Sequence, residues 1–98
     1  TTSDFETAKI NLETAINIAK RYSINDILSR LYLLYGKYFQ ELGLVKSPQQ
    51  SEYLEGAQKM YSQAEEIIIK TKNNSVFKEL KLATKSLSTF CVMNNIKI

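Results

Sequence analysis

Histidine and tryptophan are absent from this 98-residue chain, which holds only one cysteine, one proline and three glycines. Each scarcity excludes something. Without histidine there is no imidazole base, no Ser-His-Asp or Cys-His arrangement and none of the usual zinc sites. The single Cys91 can form neither an internal disulfide nor a thiolate cluster, and suits a reducing, cytoplasmic setting. Gly36, Gly43 and Gly56 are too scattered to make a phosphate-cradling loop. So few turn residues cannot serve a sandwich or barrel. No apolar run approaches the ~20 residues of a membrane-spanning helix, and the polar, charged first segment is no signal peptide. The expectation is a protein with no enzymatic role, no cofactor, no metal and no membrane contact.

What remains is ordinary for a globular domain. Hydrophobic residues make up 44% of the chain and charged residues 23%, enough to build one core. Apolar spacing and punctuation predict four helices, at about 3–22, 23–42, 47–72 and 75–93. In the first, Ser3 and Glu6 have capping-box spacing, and Phe5, Ala8, Leu12, Ala15 and Ala19 recur every three or four residues. The second begins near Ser23-Ile24-Asn25-Asp26. Its stripe is Ile24, Ile27, Leu28, Leu31, Tyr35, Tyr38, Phe39 and Leu42. Leu33 and Leu34 fall outside that stripe, so this helix should be central, with Gly43 as a left-handed C-cap.

Ser47-Pro48-Gln49-Gln50 predicts a Ser N-cap, Pro at the first helical position and a Gln three residues after the cap. Tyr53, Ala57, Met60, Ala64, Ile67 and Ile68 follow on one face. Asn73-Asn74-Ser75 interrupts and supplies the next N-cap. Val76, Leu80, Ala83, Leu87, Phe90 and Cys91 form the last stripe, and Asn94-Asn95 ends it. No segment alternates as a strand does. The fold class is therefore all-α, and the short connections favour four antiparallel helices as two stacked helical hairpins.

The chain also matches itself. Glu6, Ala8, Leu12 and Ala15 align with Glu55, Ala57, Tyr61 and Ala64 at an offset of 49 residues. The second and fourth stripes align at an offset of 52, pairing Ile24 with Val76, Leu28 with Leu80 and Tyr35 with Leu87. Such self-similarity is the mark of a helical repeat. With Tyr32, Tyr35-Gly36 and Phe39 on one helix and Ala57, Tyr61 and Ala64 on the next, the pattern resembles a degenerate tetratricopeptide repeat. The match departs from that family in spacing: Gly36 and Ala57 are 21 residues apart, where a unit of roughly 34 residues places them about 12 apart. The closing proline is also replaced by Lys70–Asn74. The resemblance implies an α-solenoid segment acting as a protein–protein interaction scaffold, with Gly36 at a close helix contact.

Four surfaces are candidates for that contact. Tyr32 sits at the edge of the second stripe, whereas Tyr35, Tyr38 and Tyr61 belong to the core. Leu33, with Leu34, would add apolar surface to the central helix. Ile10, Ile18 and Tyr22 lie off the first stripe and would face a preceding repeat or a second copy. Residues 70–98 carry six lysines and one glutamate, with Lys78, Lys81 and Lys85 on one face of the last helix. That face reads as solvated. If it takes a ligand, an acidic protein tail fits better than nucleic acid, because it has no arginine and no exposed aromatic for base stacking. The alternative reading is a regulatory or nucleic-acid-binding module acting through those lysines. Glu52-Glu55 and Glu65-Glu66 read as solubilising charge, and Cys91 as a small buried hydrophobe.

A slice of an array exposes apolar surface that neighbours normally cover. Sedimentation should therefore give an average mass above the monomer at high concentration. Ile10→Glu with Ile18→Glu should return it to monomer; a monomer unaffected by either change would refute the contact.

Overall fold

The computed structural model describes residues 2–98, with side chains from Glu6 onward. The capping box at Ser3 and the first stripe position, Phe5, lie outside the described side chains. The four helices are α1 (Thr2–Arg21), α2 (Asn25–Leu42), α3 (Gln50–Thr71) and α4 (Asn74–Met93). No strand occurs among the described residues. The chain is flat, with Cα extents of 37 × 29 × 16 Å.

The helix ends depart from expectation in instructive ways. Ser23 does not start α2; it closes α1 in the left-handed conformation, at φ 54°. Its N–H donates to Lys20 O at 3.2 Å and that of Ile24 to Ala19 O at 3.0 Å, the paired bonds of a Schellman motif. Asn95 closes α4 in the same way, with Ile96 N–H on Cys91 O at 2.8 Å. Gly43, by contrast, is right-handed at φ −80°. Its lack of a side chain serves space, since a Cβ there would stand 2.5 Å from Leu54 Cδ2. Ser47 and Pro48 precede α3 in a turn closed by Gln50 N–H on Ser47 O at 3.1 Å, so the helix starts later than Ser47 predicts. The Gln50 side chain does reach back, but to the Gly43 carbonyl at 2.9 Å. Asn73 caps α4 as expected, accepting from the Val76 N–H.

Packing centres on α2 and α3, which run antiparallel in intimate contact. Gly36 faces Tyr61, Gly43 faces Leu54 and Gly56 faces Phe39. Among the described residues α1 comes into close backbone approach with α2 alone, while α4 approaches α3 and, less extensively, α2. The α4 stripe is buried as read: Val76, Leu80, Ala83, Leu87 and Cys91. On α2 the buried side is instead Leu28, Ser29, Tyr32, Leu33, Tyr35 and Gly36. It is turned roughly a quarter of a revolution from the predicted stripe, at 100° per residue. Ile24 and Ile27 are exposed. The cause is the small residues, which score poorly as apolar yet allow the closest approach. Ser29 tolerates complete burial because its hydroxyl donates to Asp26 O at 2.8 Å.

The α2–α3 contact yields a direct test. A Cβ at Gly36 would lie 2.5 Å from Tyr61 Cδ1, whereas one at Gly56 would lie 3.2 Å from Phe39 Cγ. Gly36→Ala should cost about 1–3 kcal/mol as overpacking, and Gly36→Leu at least as much. Gly56→Ala should cost less than Gly36→Ala, because its contact is nearer normal. Urea unfolding of the three variants measures the order.

Candidate functional site

A groove between α2 and α4 is cross-linked by side-chain hydrogen bonds. These two helices run parallel, as two cross-links fix. At their N-terminal ends Asn73 Nδ2 donates to Asp26 Oδ1, so α2 holds the residue that caps α4. Further along, Gln40 Nε2 donates to Ser86 Oγ at 3.1 Å. Gln40 Oε1 accepts from the Tyr61 hydroxyl at 2.6 Å. One glutamine thus ties three helices together, and its chain of hydrogen bonds contributes to the lining of a hollow of about 300 Å³. Lys37, Glu41, Leu44 and Ala83 complete that lining.

The hollow has neighbours on both sides. Toward α1, Lys37 and Glu41 also border a cavity of about 440 Å³ lined by Ala8, Leu12, Leu34 and Tyr38. Beyond Ser86, a third hollow of about 420 Å³ lies among Leu82, Lys85, Thr89, Phe90 and Met93. Shared residues make the three continuous across α1, α2 and α4. Leu34, Leu44, Leu82 and Met93 are exposed along this band. A hollow of about 650 Å³ opens between α3, α4 and residues 96–98, on the other side of α4, and touches the central one only through Tyr61.

Burial pushes the Tyr61 hydroxyl up to about 12, so it stays a neutral donor. Ser86 accepts from the Gln40 amide, and Lys37 and Glu41 are the charged side chains on the lining of the central hollow. Tyr35 is likewise raised, first by burial and then by its hydrogen bond to Glu13 Oε1 at 2.8 Å. That bond joins α2 to α1. Burial also raises the Cys91 thiol, which packs in the core.

Two of the sequence candidates need correction. Tyr32 is 5% exposed and Leu33 3% exposed, so both belong to the core and offer nothing to a partner. Tyr32 packs with Lys20 Nζ 5.8 Å from its ring centre. Leu34, next along, is the exposed one. Ile10 and Ile18 on α1 and Tyr22 just beyond it are exposed and line none of the three joined hollows, with Ile18 beside a small hollow shared with Thr14, Asn17 and Arg21. Lys78, Lys81 and Lys85 are exposed on α4, and Lys85 alone reaches a hollow. Gln40, Ser86 and Leu44 carry the groove and were not singled out by the sequence. A glutamine 46 residues from a serine gives no local signal.

Tyr61 supplies a pH test. Its phenol holds its proton more tightly folded than unfolded, where the ordinary value is 10.0. Its contribution to stability is therefore complete below pH 10 and is lost as pH rises to about 12. Tyr61→Phe should cost about 1 kcal/mol at neutral pH, from the lost bond to Gln40. It should also flatten the fall in stability across that alkaline window, measured by urea unfolding at stepped pH.

No family model, curated protein or solved structure matches the chain.

Proposed function

We propose that this chain is a non-catalytic protein–protein interaction scaffold of the tetratricopeptide-like kind, two stacked helical hairpins that hold a partner peptide. The observation that carries the reading is the continuous band of hollows on the α1–α2–α4 side, with exposed leucines and a methionine along it. Grooves between helices with apolar side chains and a few fixed polar groups are where peptide segments dock. Helix order supports the same reading. A closed four-helix ring would bring α1 against α4, yet these two make no close backbone approach among the described residues. The internal offsets of 49 and 52 residues agree with successive units laid side by side. No described helix is long and apolar enough to cross a membrane.

Panning a displayed peptide library against the whole chain tests the reading. Enriched peptides should lose about tenfold or more in affinity on Leu44→Asp or Ser86→Arg, which fill or charge the central hollow. Ser62→Arg, in the α3–α4 hollow and not on the lining of the central one, should leave binding unchanged. Failure to enrich any peptide, or equal loss with Ser62→Arg, would overturn the groove as the binding surface.

A further inference from the structure

The outward stripe of α4 combines charge and apolar surface in a way that the core does not explain. Val76, Leu80, Ala83 and Leu87 face inward, and at 100° per residue the opposite side presents Lys78, Lys81, Leu82, Lys85, Val92 and Met93. Leu82, Val92 and Met93 are 71%, 74% and 77% exposed, the highest values among the large hydrophobic side chains described. Three ammonium groups lie over about 10 Å of helix, and none of them pairs with a carboxylate among the described residues. Lys81 is held over the Phe77 ring at 5.0 Å, which fixes one of the charges in place. Lysines and apolar groups share one stripe, and Lys85, Leu82 and Met93 meet around the same hollow of about 420 Å³.

We infer that this stripe binds an acidic amphipathic peptide segment, with apolar side chains seated in the Leu82–Met93 hollow and carboxylates on Lys78, Lys81 and Lys85. The inference rests on the scaffold reading above and names the chemistry of the partner. Charge complementarity selects the occupant: residues 70–98 contain a single acidic residue, Glu79, about 100° around the helix from Lys78. A nucleic acid strand would meet the lysines but would leave Leu82, Val92 and Met93 uncovered, and it finds no arginine here. A short helix bearing leucine or phenylalanine beside glutamates satisfies both halves of the stripe.

The test is fluorescence anisotropy of a labelled synthetic peptide that alternates glutamates with leucine and phenylalanine at three- and four-residue spacing. The whole chain should bind it with an affinity that falls as salt rises. Changing Lys78, Lys81 and Lys85 together to Gln should weaken binding about tenfold and flatten the salt dependence. Leu82→Ser with Met93→Ser should weaken it about as much and leave the salt dependence intact. These side chains are exposed, so helical circular dichroism and melting should not change. Equal binding of the glutamine version of the peptide would overturn the inference. So would tighter binding of a single-stranded oligonucleotide or of phosphatidylserine-containing vesicles. If displayed peptides bind in a Leu44-dependent way that ignores the lysine changes, the partner chemistry fails and the scaffold stands. If no displayed peptide binds at all, the scaffold reading fails with it.

Discussion

The structure depends on one seam between α2 and α3. Leu54, Tyr61 and Ile68 recur every seven residues on α3, and all three are essentially inaccessible to solvent. Opposite them on α2, Gly43, Gly36 and Ser29 recur at the same interval. Gly43 receives Leu54 and Gly36 receives Tyr61. Antiparallel register then places Ile68 opposite Ser29, which is fully buried. Large side chains on one helix fill holes left by the smallest residues on the other, as in knobs-into-holes packing. A seven-residue repeat keeps such a seam in line because it nearly matches two turns of helix. The close approach also has a polar consequence. It brings the Tyr61 hydroxyl within reach of Gln40, and through Gln40 the third helix is tied on.

The two outer helices are held unequally. α4 buries five side chains from its stripe, takes its N-cap from a residue fixed by Asp26, and ends in a Schellman turn around Asn95. Among its described side chains, α1 contributes Ile16 and Ala19 to the buried set, with Leu12 packed partly against the core and Glu13 bonded to Tyr35. Burial decides local stability more than helix propensity does, so α1 is the element that opens at least cost. The same asymmetry separates the two sequence segments that align at an offset of 49 residues. Ala57, Tyr61 and Ala64 are buried between neighbours, while Ala8, Leu12 and Ala15 are half-buried, with α2 the one helix that α1 closely approaches among the described residues.

Helix count and most of the core were legible in the sequence because long stripes at helical spacing have few other interpretations. α4 is the clearest case: every inward residue of its buried set was in its stripe. α2 was misread by a quarter turn, since hydrophobicity cannot weigh Ser29, Gly36 and Gly43, whose value lies in what they leave out. Leu54 escaped for a related reason, as it belongs to the seven-residue seam and not to the face carrying Tyr53 and Ala57. Gly43 was identified as special, but for conformation instead of space. The lysine stripe was legible as charge, yet its meeting with Leu82 and Met93 around a hollow was not. Leu33 shows the converse error: a leucine outside the predicted stripe lies within the buried side once that side is turned.

The groove follows from how the parallel helices are joined. α2 and α4 cannot pack as closely as α2 and α3, because α3 runs between them in the chain and takes the small-residue face of α2 for itself. What remains is a shallow channel whose floor would be unstable if it were bare. Gln40 resolves this by accepting from Tyr61 and donating to Ser86, so both ends of its amide are satisfied. Satisfied polar atoms in the floor hold the two walls at fixed separation, and the apolar side chains along the rim are left facing outward. A tighter α2–α4 contact would close the hollow beside Leu44 and Ala83 but would have to break that amide chain. The seam that fixes the core thereby also fixes an open, partly apolar surface beside it.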